Sequence, residues 1–345
     1  MEDEEVEVTV AATVPASFEV EEEGEEDELT VRSSTSDPEA TTLQLEDDSK
    51  SDYETVLAFD LDTEDSINDI EVTQIRVDVT ATSDGTTATT TEGIINDVKL
   101  VVDGEEFDDV TITHGTTGQF LFDLDDENFV IEAGERVTVE FKVEFKALNA
   151  GLEGATVEAT VDTDGLAAEG ADDLTVAASQ LSGSATGDEH TLRTQGAILE
   201  FVSSTESKDL NSDTTSGDDE GVFVVKFDVT AFESDLFINK TAASGTTMGT
   251  VGVNFLITDG SGTAVGTSSV PEASLSATAD TEGGQYKVNE GETETFTLTI
   301  SYDPGASGFY GVQLYSLNFK TSAGNPVTQQ RALPAEDYET DPLSI

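Results

Sequence analysis

FVIEAGERVTVEFKVEF, residues 129–145, alternates strictly once past its glycine: Val137, Val139, Phe141, Val143 and Phe145 interleave with Thr138, Glu140, Lys142 and Glu144. Successive side chains of an extended chain point to opposite faces, so this pattern predicts an antiparallel strand with one face in a core and the other in water. The stretch is written a second time, 157 residues later, as YKVNEGETETFTLTISY (286–302), where Phe296, Leu298, Ile300 and Tyr302 alternate with Thr297, Thr299 and Ser301. Ala133-Gly134-Glu135 and Glu290-Gly291-Glu292 mark a chain reversal before each strand.

Other blocks recur in the same order. VLAFDLDTEDSINDIEV (56–72) matches VVKFDVTAFESDLFIN (224–239), with Phe59-Asp60-Leu61 falling on Phe227-Asp228-Val229. VKLVVDGEEF (98–107) matches NFLITDGSGTAV (254–265) through Asp103-Gly104 and Asp259-Gly260, both read as hairpin turns. ATVEATVD (155–162) stands where YGVQLYSLNF (310–319) closes the second copy. Each copy holds many short alternating runs separated by Gly, Asp, Ser and Thr, and no stretch has helical periodicity. The expectation is an all-β chain of two tandem immunoglobulin-like antiparallel β-sandwich domains, at residues 29–190 and 191–330. LSGSATGDEHTLRTQG (181–196) reads as a short polar linker, and residues 331–345, with Pro334 and Pro342, as an extended C-terminal tail. Residues 1–28 form an acidic N-terminal extension with 13 acidic and no basic residues, in which Val6, Val8 and Val10 nonetheless alternate as a strand would.

Composition removes several function classes. Lys plus Arg total 14 against 74 Asp plus Glu, a formal charge of −60. Such a field repels nucleic-acid phosphates and anionic membranes. It suits either solvation in concentrated salt or the collection of divalent cations. With no cysteine there are no disulfides, thiolate metal sites or thiol nucleophiles. No apolar run is long enough to insert in a bilayer as a helix. MEDEEVEV lacks the basic and apolar regions of a secretory signal, so an exported form is expected to have carried a leader ahead of Met1.

Catalytic patterns are missing from the sequence. There is no G-x-S-x-G elbow and no phosphate-binding glycine loop, and His114 and His190 read as surface residues. The reading is not an enzyme. Calcium is the one cofactor the acidic turns invite, because hard cations take several carboxylate and carbonyl oxygens. Asp162 and Asp164, in DTDGLAAEGADD with Asp172 and Asp173, are the leading candidates; DLDTED (Asp60, Asp62, Asp65) and DLDDEN (Asp123, Asp125, Asp126) follow. Tyr286 and Tyr302 fall in the apolar phase of their strands and read as core, which leaves no aromatic platform for a glycan.

FDLDTEDSINDIEVTQI, VVDGEEF, FVIEAGERVTVEF, LSGSATGDEHTLRTQG and VNEGETETFTLTISYDPGASGFYGVQL together resemble modules of bacterial cell-surface proteins of the surface-layer-like kind, over nearly all of residues 29–330. The acidity also resembles that of surface proteins of salt-loving archaea. The resemblance implies an extracellular, noncatalytic structural role. The leading reading is a self-assembling subunit, a homo-oligomer or polymer, in which the alternation of Val6, Val8 and Val10 suits a strand donated to a neighbour. The alternative is an adhesin or glycan-binding module stiffened by calcium.

Overall fold

The computed structural model describes residues 27–83, 89–149, 151–170, 174–209, 220–266, 270–322 and 326–345. Among them there is no α-helix; apart from 3-10 turns every regular element is a strand. Val6, Val8, Val10, Asp172 and Asp173 lie outside the described residues.

The first module runs through β1 (Leu29–Ser33), β2 (Thr42–Gln44), β3 (Tyr53–Asp62), β4 (Ile70–Thr82), β5 (Ile95–Val102), β6 (Glu105–Phe107), β7 (Val110–Thr113), β8 (Thr117–Asp123), β9 (Val130–Ile131), β10 (Arg136–Phe145), β11 (Thr156–Asp162), β12 (Leu166–Glu169), β13 (Leu181–Thr186) and β14 (His190–Arg193). The second comprises β15 (Gly196–Asp209), β16 (Glu220–Phe232), β17 (Leu236–Ile238), β18 (Ala242–Ser244), β19 (Val253–Asp259), β20 (Glu272–Ala277), β21 (Asp280–Glu282), β22 (Gln285–Val288), β23 (Thr293–Tyr302), β24 (Phe309–Lys320), β25 (Thr328–Arg331) and β26 (Leu343–Ser344).

Two separate apolar cores form, one within residues 29–192 and one within 197–345. In the first, β5-β10-β3-β1 make one layer and β8-β4-β11-β13 the other; in the second, β20-β23-β16-β15 face β19-β24 with β25. Each module thus sets four strands in the order D-E-B-A against a C-F-G layer. The strand of the opening stretch, β10, buries Val139, Phe141, Val143 and Phe145 between β3 and β5. Its counterpart β23 buries Phe296, Leu298, Ile300 and Tyr302 between β16 and β20.

The duplication extends to individual hydrogen bonds. Asp60 sits opposite Thr138 and accepts its hydroxyl at 2.8 Å; Asp228 sits opposite Thr295 and accepts its hydroxyl at 2.6 Å. Gly134 and Gly291 take φ of 81° and 76°, the left-handed region that only glycine enters cheaply. The backbone N–H of each donates to one residue, Thr63 or Ala231, whose own N–H donates to the carbonyl of Glu135 or Glu292. An aspartate braces each turn: Asp69 accepts from the Ala133 N–H at 2.9 Å and Asp235 from the Glu290 N–H at 3.0 Å.

One expected correspondence is wrong. Asp103-Gly104 has φ of 51° and 88°, the doubly left-handed turn of a tight hairpin, and joins β5 to β6 beside β10. Asp259-Gly260 ends β19, which pairs with β24 in the other layer. Its loop is wound around the Asp259 carboxylate, which accepts the N–H groups of Ser261 and Thr263, and the left-handed residue is Gly262. The register shows that β20 is the counterpart of β5: Leu100 opposes Phe141 and Leu275 opposes Leu298. β17 and β19 together stand where β4 runs unbroken, since β24 pairs with both as β11 and β12 pair with β4.

The expected linker at 181–196 is also largely strand. β13 pairs antiparallel with β11 and parallel with β1, tying the two layers of the first module along one side. β14 then pairs with β11 and β2, and Leu192 belongs to the first core, so the module boundary lies at Thr194-Gln195 rather than at 190/191. His190 is wholly buried, not a surface residue, and neither ring nitrogen makes a hydrogen bond of normal geometry. Burial pushes its pKa down, against a smaller upward pull from the Val56 backbone and Asp188. His114 is exposed, with Nδ1 3.2 Å from the Thr91 hydroxyl. The tail beyond 331 is no free extension. It makes a 3-10 turn at Ala335–Tyr338, buries Tyr338, and returns as β26 against β24.

Candidate assembly surfaces

Four of the aspartates suggested as calcium ligands, Asp60, Asp62, Asp123 and Asp162, have other partners. Asp162 caps a 3-10 turn by accepting the Asp164 N–H at 3.0 Å, and its carboxylate is 3.4 Å from the Arg76 guanidinium. Asp62 is buried between Arg32 at 2.7 Å and Arg136 at 2.5 Å. Burial alone would raise its pKa, but the Glu64 N–H and the two guanidinium groups outweigh that and hold it below the usual carboxylate value. Asp60 is taken up by Thr138, and Asp123 accepts the Asp125 N–H at 3.4 Å. Calcium asks for six to eight oxygens around one point. Among the described residues no group of three or more His, Asp or Glu converges in that way.

The tyrosines suggested as core do pack there. Tyr302 is buried, and Tyr286 meets the Phe296 ring edge-on at 5.7 Å.

The junction between the modules is built from side chains on both. Only Thr194 and Gln195 separate β14 from β15. Thr194 donates from its N–H and hydroxyl to Glu153 at 3.1 and 2.9 Å. Arg193, 6% exposed, reaches across to the Gln329 carbonyl at 3.0 Å. Burial lowers its pKa, opposed by Glu153. Gln330 donates to the Thr42 hydroxyl at 3.2 Å, and Gln44 donates to Glu233 at 3.1 Å.

The greatest difference between the copies lies at the first strand. In the first module the outer edge of β1 is closed by β13. That approach is tight enough that a side chain on Gly183, whose φ is 82°, would collide with the Val31 carbonyl. In the second module no described strand returns to pair with the outer edge of β15; the 3-10 turn at Ala335–Tyr338 and β26 come against it instead, with the Phe201 and Tyr338 rings edge-on at 6.1 Å. β25 pairs with β24, and the segment between β25 and β26 bulges into the 3-10 turn. A side chain stands in for the missing strand at one residue only: the buried amide of Gln330 accepts from the Ala197 N–H at 3.1 Å and donates to the Ala197 carbonyl. Beyond Ala197 no described strand pairs with the outer edge of β15, although the strand continues to Asp209. Phe201 and Val202 on that edge are 38% and 48% exposed. A cavity of about 500 Å³ opens beside it, lined by Leu199, Phe201, Leu333, Pro334 and Tyr338, with Glu39, Glu200 and Asp337 among its acidic residues.

Repetition and alternation in the sequence announced the paired strands but not this edge. The one available signal was that LSGSAT (181–186) has no equally placed counterpart ahead of the second C-terminal segment.

No family model and no curated protein matches the chain. Among solved structures, the C-terminal domain of the antigen I/II polypeptide BspA from Streptococcus agalactiae aligns at 9% identity and a TM-score of 0.23, over 88% of this chain and 98% of that one. The C-terminal domain of AspA from Streptococcus pyogenes gives 8% and 0.24, over 89% and 100%. BcpA, the major pilin subunit of Bacillus cereus, gives 10% and 0.23, over 92% and 65%. Likenesses at these scores carry no weight for fold or function, and the fold stated above rests on the strand pairing alone.

Proposed function

We propose that the chain is a noncatalytic structural subunit of an extracellular cell-surface assembly, a surface layer, fibre or pilus-like filament, made of two immunoglobulin-like modules and joined copy to copy through β-strand contacts. The observation that carries this reading is the outer edge of β15, with which no described strand pairs beyond Ala197, on a module whose sister closes the same edge with its own strand. Unpaired strand edges are templates for pairing with another chain, and monomeric proteins shorten or cover them. Here the strand runs on from Ile198 to Asp209 without a described partner on that side. The second support is the two-residue link braced by Arg193, Gln329, Gln330 and Thr42, which suits a load-bearing rod better than a flexible tether. Sedimentation velocity of the full chain against a chain lacking residues 1–26 tests the reading. Large species are expected from the first and only monomer from the second; monomer alone from both would refute the assembly, and large species from both would refute its dependence on the N-terminal segment.

A further inference from the structure

We propose that the outer edge of β15, from Ile198 to Thr205, is the acceptor for residues Val6–Val10 of a second copy, which add as a parallel strand. The inference rests on the assembly reading above and identifies the contact that would serve it.

Four observations lead there. The strand that would close this edge is supplied in the first module by β13, running parallel to β1, and in the second module no described strand supplies it. The inner-facing residues of β15 here are Leu199 and Phe201, opposite buried Val229 and Phe227, and they border the cavity walled by Leu333, Pro334 and Tyr338. An added strand would therefore need apolar side chains at every second position on one face and polar ones on the other. Val6-Glu7-Val8-Thr9-Val10 has that pattern in the chain outside the described residues.

The fourth observation concerns where that segment leaves the fold. Asp27 is wholly buried and accepts from the Asn68 amide at 2.8 Å, just ahead of the first residue of β4. The module junction lies beyond the other end of β4, where Thr82 pairs with Thr156 and β14 follows alongside. Those thirteen residues of strand span about 40 Å. The 17 residues from Val10 to Asp27 reach at most about 58 Å. Reaching its own β15 would use most of the segment's length in running along its own module, whereas a neighbour's edge imposes no such span. A donor at one end and an acceptor on the far module make a heterologous contact that does not close on itself, the geometry of an open filament. Both partners are acidic, with Glu4, Glu5 and Glu7 meeting Glu200, Glu39 and Asp337, so the contact strengthens with salt.

The native absence of cysteine allows a direct test on the full chain. Glu7→Cys and Thr9→Cys chains, whose new thiols lie on the polar face, are mixed in high salt with Glu200→Cys or Ser203→Cys chains and oxidised. A disulfide-linked species of two chains is expected, with Glu7→Cys favouring Glu200→Cys and Thr9→Cys favouring Ser203→Cys. It should be lost when Val6, Val8 and Val10 are all changed to Ser. Ser274→Cys, on the opposite edge strand β20, should give none. No linkage at β15, linkage equal to that at Ser274, the reverse pairing order, or a link formed inside one chain of a Thr9→Cys/Ser203→Cys double variant would each overturn the proposal. Filaments without β15 linkage would overturn the acceptor while leaving the assembly reading standing; linked pairs without filaments would do the opposite.

Discussion

Gln330 is the residue on which the second module most depends at its open edge. Its amide is the sole partner of the buried Ala197 backbone on that side. Replacing it by Ala strips two backbone groups of their partner at about 1–3 kcal/mol for each unsatisfied group, so Gln330→Ala is expected to lower the stability of the second module by about 2–6 kcal/mol in urea denaturation. His190 gives the first module a different sensitivity. Its folded pKa lies below the unfolded value of 6.5, so the unfolded chain binds the proton more tightly. Stability is therefore complete above pH 6.5 and falls as pH drops from there towards the lower folded value. His190→Leu is expected to flatten that slope, read from melting temperature against pH. Neither role was visible in the sequence. His190 sits among Gly, Ser, Thr and Asp, a composition that signals exposed loop, and nothing in TQQR marks the glutamine that will act as backbone.

The strands that were legible are those that bury one face against a paired neighbour. Val137–Phe145 and Phe296–Tyr302 alternate because each lies mid-layer with a core on one side. β13 escaped notice because only Ala185 of its six residues is buried, and its contribution is backbone pairing rather than apolar packing. The pairing of VVDG with ITDG misled for a related reason: Asp-Gly reports turn chemistry, which recurs wherever a strand ends, and not which layer the strand joins. The small residues of β13 are nonetheless required. Gly183→Val meets both a left-handed φ and the Val31 carbonyl, and is expected to cost the first module about 3 kcal/mol or more by denaturation.

At the scale of the whole molecule, a formal charge of −60 on 345 residues opposes both compactness and association. Screening shortens from about 10 Å at 0.1 M salt to about 3 Å at 1 M. The melting temperature is expected to rise over that range, by about 2–4 °C for each kcal/mol of repulsion relieved in modules of this size. A melting temperature that falls or stays flat would mean that the charge is already neutralised locally. Association should follow the same trend, since donor segment and acceptor groove carry the same sign.

Electron microscopy of the purified full chain across that salt series bears most directly on the reading of this protein as an assembling scaffold. Filaments or sheets with a repeat set by the two-module length, appearing as salt is raised, are the expected result. Single particles of 36.4 kDa at every salt and protein concentration would contradict it.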